Sequence, residues 1–205
     1  MNFMVGFLLL VSGNKEKESF WMFSAIASVH SFEPKMGGLA GFYSSHFPLL
    51  EKYMHVFRRL FQENLPELFN HFEQQGIPDL LWIHKWFQSC FLYSFPLGLC
   101  IRIWDNILAH GTKFLFQVAL GILSLTENDL LGLDFSDINE YFKQLKDEEN
   151  GQYRLLPAFE TIIQKSLKIK VTNEHIEEIV DELTELLPGE SGILTRKDGS
   201  YVEGQ

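Results

Sequence analysis

Residues 80–125 constrain this chain more than any other feature. Three apolar segments follow one another there, each bounded by a breaker: Pro78-Asp79 precedes 80–93, Pro96 opens 97–110, His110-Gly111 closes it, and 114–125 follows. Proline suits the first turn of a helix and glycine its end, so this punctuation predicts helices. A helix that is apolar on nearly every side belongs at the centre of a fold, which makes 80–93 and 97–110 expected core helices. No stretch of the chain alternates apolar with polar residues for long enough to read as a strand. The expected class is all-α.

The rest of the chain repeats the pattern. Ser19 is placed to cap a helix over 20–29, and 33–41 (EPKMGGLAG) reads as a Gly-rich loop. A helix over 47–63 carries Leu50, Met54, Phe57 and Phe61 at helical spacing, and Leu65-Pro66 starts another that stops at Gly76. Further helices are expected over 136–146, 155–168 and after Thr172 or Asn173, giving a compact array of about nine or ten helices joined by short connections. The last of these carries Ile176, Ile179, Val180, Leu183 and Leu187 as one stripe, expected to dock on its own domain. The expected organisation is a domain over 1–168, an acidic helix over 169–187 and a flexible tail over 188–205.

The chain opens on MNFMVGFLLLVSG, in which nine of the first eleven residues are apolar. No basic residue precedes the run and Val11-Ser12-Gly13 is a poor cleavage site, which argues against a secretory signal. Charge resumes after Gly13, well short of the roughly 20 residues a membrane span needs. A core helix is the expectation, and if its neighbours are missing it leaves an apolar patch through which the chain associates.

Aromatics make up 14% of the chain, 19 of them Phe, and charged residues only 21%, which places it among globular proteins with a large core. The formal net charge is −10, and residues 171–195 hold seven acidic groups and no Lys or Arg. That balance repels phosphate backbones and anionic headgroups, so nucleic acid and direct membrane insertion are not expected. Cys90 and Cys100 stand in apolar surroundings and are expected to be buried free thiols.

Self-contained catalytic chemistry is hard to find. The seven His residues are scattered, and His71-Phe72-Glu73 lacks the P-C-x-x-C that would complete a zinc-deaminase pattern. His84 and Cys90 are six apart, on different faces of a helix. There is no G-x-S-x-G, P-loop or G-x-G-x-x-G. No catalytic residue, metal site or cofactor is assigned.

The stretch SFPLGLCIRIWDNILAHG, residues 94–111, is the most informative. On spacing alone it is a Pro-started helix with Ile101, Trp104 and Leu108 toward a core and Arg102 paired with Asp105 outside. Together with MNF-x-x-GFLLLV, ESFWMFSAI, GGLAGFY and LFNHFEQQGIPDLLWIHKWFQSCF, it resembles the TBC domain of Rab GTPase-activating proteins in order and spacing. The most specific piece is S-x-P-L-x-x-x-x-R-I-W-D, standing as Ser94, Pro96, Leu97, Arg102, Ile103, Trp104 and Asp105. The resemblance is close to about residue 125 and continues more weakly to about 168.

The resemblance implies an activator of Rab-type small GTPases in their GTP-bound form, cytoplasmic or peripheral on endomembranes through partners. It works through an arginine finger from I-x-x-D-x-x-R and a glutamine from Y-x-Q, the latter inside Y-x-Q-G-M-N. This chain begins at the Met and Asn of that motif, Met1 and Asn2, and neither finger motif recurs within it. It is therefore expected to be a truncated form that does not accelerate hydrolysis alone. A non-catalytic helical interaction module is the alternative. The residues that the resemblance turns toward the GTPase are Met1, Asn2, Lys85, Trp86, Arg102 and Asp105. For Trp86 packing comes first and contact second, and Arg58-Arg59 reads as a solvated helix edge.

Overall fold

The computed structural model describes residues 2–28, 39–43, 47–149 and 152–186, so Met1 and the tail over 188–205 lie outside the described residues. Ten α-helices occur among them: α1 (Asn2–Val11), α2 (Glu16–Ala27), α3 (Pro48–Asn64), α4 (Pro66–Gln75), α5 (Ile83–Gln88), α6 (Leu97–His110), α7 (Lys113–Leu131), α8 (Phe135–Lys143), α9 (Phe159–Lys168) and α10 (Asn173–Leu186). The only described strands are β1 (Glu148–Glu149) and β2 (Gln152–Tyr153), an antiparallel pair with Glu148 opposite Tyr153. The all-α expectation is met.

The chain divides into two compact units, Met1–Val56 with Asn173–Gln205, and Phe57–Thr172. In the first, α1 packs on α2 and buries Met4, Phe7 and Leu8. The turn between them runs through left-handed backbone at Gly13 (φ 70°) and Asn14 (φ 61°), conformations that Gly and Asn adopt most cheaply. Here α2 starts at Glu16, ahead of the expected cap. Ser19 lies inside the helix, where its buried hydroxyl donates to the Lys15 carbonyl (2.9 Å) and lies 2.8 Å from the Ser12 hydroxyl. Phe42 meets Tyr53 edge-on at 4.9 Å. Ile176, Ile179 and Val180 of α10 are buried as their stripe requires.

The second unit is built around α7. Phe114, Leu115, Phe116, Val118, Ala119, Leu120, Ile122 and Leu123 are each no more than 1% exposed, so the helix shows water almost no face as far as Leu123, while Asn128 and Asp129 near its end are exposed. By length and composition alone it could cross a bilayer, yet its apolar surface is spent inside the unit. Its most extensive partner is α9, and the approach is close because Gly121 faces Ser166. The Gln117 amide donates to the Ile169 carbonyl at 2.8 Å, tying the end of α9 to the same helix.

The expected helix over 80–93 is broken. It becomes a 3₁₀ turn (Asp79–Leu81), the six-residue α5, and a further turn in which Cys90 (φ 46°) and Phe91 (φ 69°) are left-handed. Such backbone costs on the order of 1–3 kcal/mol per residue and survives only where its surroundings impose it. They do so here. Phe91 and Phe95 fold back onto Trp86 (5.7 and 4.8 Å between ring centres), which a straight helix would forbid. The Trp104 indole N–H donates to the freed Cys90 carbonyl (3.2 Å), and the Cys100 thiol donates to Phe91 O and Phe95 O (3.6 and 3.5 Å).

Helix α6 has the expected ends, but its core face is Leu99, Cys100, Ile103, Trp104 and Ile107. Ile101 (37% exposed) and Leu108 (53%) point outward, because 99/100/103/104/107 makes a wider apolar stripe than 101/104/108.

Candidate functional site

Trp82, Trp86 and Phe142 form the aromatic centre of a shallow pocket of about 180 Å³ in the second unit. The Trp82 ring stacks on Phe142 at 4.9 Å and 13°, and Trp86 stands edge-on to both, at 5.2 and 5.6 Å. Their positions follow from local structure: the 3₁₀ turn and α5 carry the tryptophans, and amphipathic α8 presents Phe142 from its buried face. Asp134 fixes where α8 starts, its carboxylate accepting the N–H groups of Ser136 (2.9 Å) and Asp137 (3.0 Å).

The rim is basic. Exposed Lys85, Lys143 and Lys146 line it, together with Tyr93, Ser94 and Asn139. The Lys146 ammonium lies 4.8 Å from the centre of the Tyr93 ring, a cation–π arrangement, and Lys143 reaches exposed Glu140 at 3.6 Å. Burial, then the adjacent Lys85 charge, hold His84 below its ordinary pKa of 6.5, so it adds no charge at neutral pH. The Trp82 side chain is 1% exposed and, among the described residues, its indole N–H has no acceptor. A buried donor left unpaired costs about 1–3 kcal/mol.

Of the residues that sequence points toward a GTPase, the structure brings Lys85 and Trp86 together at this pocket, one exposed at its rim and one buried in its wall. Arg102 and Asp105 do not line it. Both are exposed on α6, and Arg102 pairs with Glu160 of α9 at 2.7 Å instead of with Asp105. Glu160 wins because α6 and α9 pack together and place a carboxylate that sequence distance conceals. Asn2 is exposed in the other unit, its side chain accepting the Phe3 N–H at 3.1 Å, and Met1 lies outside the described residues.

Arg58 is likewise no simple solvated edge. It reaches Glu73 (2.7 Å) and Asp79 (3.2 Å) and lies 5.1 Å from the Phe69 ring centre, while Arg59 pairs with Glu63 at 2.8 Å. Burial raises the Asp79 carboxyl above its ordinary value of 3.8 despite the Arg58 charge. Sequence reasoning passed over Lys143 and Lys146. The signal available for them was their i,i+3 spacing immediately after Phe142.

The Cys90 and Cys100 thiols are buried and free, and burial pushes both pKa values up to about 12, which leaves them un-ionised and poorly nucleophilic at neutral pH. Among the described residues, no group of three or more His, Cys, Asp or Glu is placed to hold a metal ion.

A family model described as the Rab-GTPase-TBC domain matches residues 1–131, more than half of the chain. The chain belongs to that family. Among similar proteins, TBC1 domain family member 12 of Xenopus tropicalis is 39% identical over 110 residues, covering 54% of this chain and 16% of that protein. The human Ecotropic viral integration site 5 protein homolog is 27% identical over 186 residues, covering 89% of this chain and 21% of its own length. This TBC-family chain thus spans about a sixth to a fifth of those two relatives. The crystal structure of the Chlamydomonas flagellar RabGAP TBC domain superposes with a TM-score of 0.64 at 21% identity, over 82% of this TBC-family chain and 51% of that one. The likeness extends the shared fold beyond residue 131.

Proposed function

We propose that this TBC-family chain supplies part of the docking surface of a Rab GTPase-activating protein, and that these 205 residues alone bind a GTP-loaded Rab without accelerating hydrolysis. The observation that carries the reading is the family match over residues 1–131, joined to the absence from the sequence of both I-x-x-D-x-x-R and Y-x-Q. Charge develops on the transferred phosphoryl oxygens in the transition state, and an arginine finger supplied in trans is worth about 10³ to 10⁵ in rate. Docking without that group lowers no barrier. Met1, Asn2, Lys85, Arg102 and Asp105 are the proposed contacts, with Trp86 holding Lys85 in place from behind. The chain acts in the cytoplasm or on endomembranes that its partners occupy.

The test is a single-turnover hydrolysis assay across GTP-loaded Rab proteins, run beside a pull-down. Retention of at least one Rab with unchanged hydrolysis is expected, and Lys85→Glu should weaken that retention. Strong acceleration that disappears with Arg102→Ala would refute the reading, since it would make Arg102 a finger.

One observation favours a second reading, a helical interaction module. In the first unit, Phe3, Leu10, Val11, Phe20 and Trp21 are 45–62% exposed on α1 and α2, and exposed apolar side chains grouped in this way mark interaction surfaces. Association through α1 then follows, and light scattering across a concentration series reads it. A strictly monomeric chain that binds no hydrophobic dye would refute it.

A further inference from the structure

We propose that Tyr153 is a site of tyrosine phosphorylation and that its phosphate opens the β1–β2 ribbon. Among the described tyrosines it alone lies in a strand, where it is half-exposed with its hydroxyl facing solvent. Tyr53 and Tyr141 are buried, and Tyr93, though exposed, sits in the tight turn after α5 with Lys146 over its ring. A two-stranded ribbon leaves each strand one unpaired edge, so an enzyme that binds its target as an added strand finds β2 already extended. Three exposed acidic residues, Asp147, Glu148 and Glu149, precede Tyr153 closely in the sequence. They suit a kinase with a basic substrate cleft.

The co-reactant is ATP with its Mg²⁺, held by the kinase. The bond between Pγ and the β–γ bridging oxygen breaks, a bond from Tyr153 Oη to Pγ forms, ADP leaves, and the phenol proton passes to the kinase's catalytic carboxylate. What the product does is set by Glu148. This residue stands directly opposite Tyr153 in the antiparallel register, and the phenol donates a hydrogen bond to its carboxylate. Phosphorylation removes that donor and sets about −1.5 to −2 charges against the same carboxylate. Like charges directly opposite are destabilising, and a two-stranded ribbon is marginal to begin with. The opening carries inward. The Tyr153 ring lies 5.3 Å from that of Phe159 at the start of α9, and Phe159 covers Gly98 in the first turn of α6, where a Cβ would stand 3.0 Å from its ring. A ribbon that opens lifts Tyr153 from Phe159 and so changes the surroundings of Gly98.

The experiment treats the whole chain with Mg-ATP and a purified protein tyrosine kinase that prefers acidic residues before its target, beside a peptide of residues 144–158, and maps the phosphate by mass spectrometry. Tyr153 of the folded chain should be modified at least about tenfold faster than Tyr93, and Asp147→Asn, Glu148→Gln and Glu149→Gln together should slow it by at least about tenfold. In the phosphorylated chain, nuclear Overhauser contacts across the ribbon, Glu148 to Tyr153 and Glu149 to Gln152, should weaken by at least about threefold, and the Gly98 amide resonance should move. Glu148→Gln alone should return both toward the parent once Tyr153 is phosphorylated. Modification of the peptide without the folded chain, or of neither by a kinase active on another acidic tyrosine peptide, would overturn the proposal. So would a phosphorylated chain whose ribbon contacts are unchanged or strengthened, as pairing of the phosphate with Arg154 would make them, or an opening that Glu148→Gln leaves as large. None of these outcomes depends on Rab binding or GTP hydrolysis.

Discussion

Replacing Gly121 by alanine should destabilise the second unit, although an alanine inside a helix is ordinarily welcome. Gly121 lies in α7 where α9 crosses it, and a methyl there would overlap the Ser166 hydroxyl and stand 3.1 Å from Ser166 Cα and 3.2 Å from its Cβ. Helix propensity favours alanine by about 1 kcal/mol. Against it, the hydroxyl must rotate away from the Ile162 carbonyl, to which it donates at 2.7 Å, giving up about 1 kcal/mol. Those two terms cancel. The Cα and Cβ of Ser166 cannot rotate away, so α9 must back off, and overpacking of that kind costs about 1–3 kcal/mol. The net loss is therefore about 2 kcal/mol.

Urea unfolding followed by tryptophan fluorescence reads this loss, because Trp82, Trp86 and Trp104 are all buried in the second unit. The midpoint should fall by about 1 M for an ordinary urea dependence of roughly 2 kcal/mol per M. Gly6→Ala is the control, since a Cβ there meets nothing within 4 Å and should stabilise the first unit by up to about 1 kcal/mol. Adding Ser166→Gly to Gly121→Ala should recover part of the loss. A Gly121→Ala chain as stable as the parent, with an unchanged slope, would show that α7 and α9 do not approach as closely as described and would refute the reasoning.

Lys52 gives a pH dependence with a definite sign. Burial outweighs the attraction of Asp181 and lowers its pKa from 10.5, so the folded state releases this proton before the unfolded state does. The first unit should then gain stability as pH rises through the folded pKa toward 10.5, and Lys52→Met should abolish that alkaline gain. Urea midpoints followed by the methyl resonances of Ile26 and Val56, both buried in the first unit, from pH 7 upward decide it, and a rise that persists in Lys52→Met would count against it. Cys90 and Cys100, with pKa values near 12, should resist alkylation at pH 7 until the chain unfolds, and rapid labelling of the native protein would contradict their burial. Asp134→Ala removes the acceptor of two N–H groups at the start of α8 and should cost about 1 kcal/mol, whereas Arg102→Ala, losing an exposed pair, should cost less than about 1 kcal/mol by the same urea assay.

The parts of the fold that could be read in advance are those governed by neighbours in sequence. Pro96 and Gly111 delimit α6, and Gly76, left-handed at φ 65°, closes α4. What escaped was decided by distant residues. Nothing within 80–93 announces the break after Gln88, because the groups that hold it, Trp104 and Cys100, belong to α6. Glu160 is 58 residues from the arginine it pairs with, beyond any helical spacing rule. The candidate site divides along the same line. Lys85 and Trp86 were legible as a basic-aromatic pair on one segment, while Lys143 and Lys146 join them only because α8 is packed alongside.

The burial of α7 on every side from Phe114 to Leu123 has a consequence during synthesis. Its most extensive partner is α9, whose last residue, Lys168, is made 37 residues after Leu131 completes α7. At about 5–20 residues per second, a 19-residue apolar segment waits some 2–7 s for its cover. During that interval the nascent chain offers cellular targeting and chaperone machinery a segment that by length and composition resembles a membrane anchor. Slowing translation between residues 131 and 168 should therefore divert newly made chain to membranes or aggregates, while the folded protein, with α7 covered, gives no such signal.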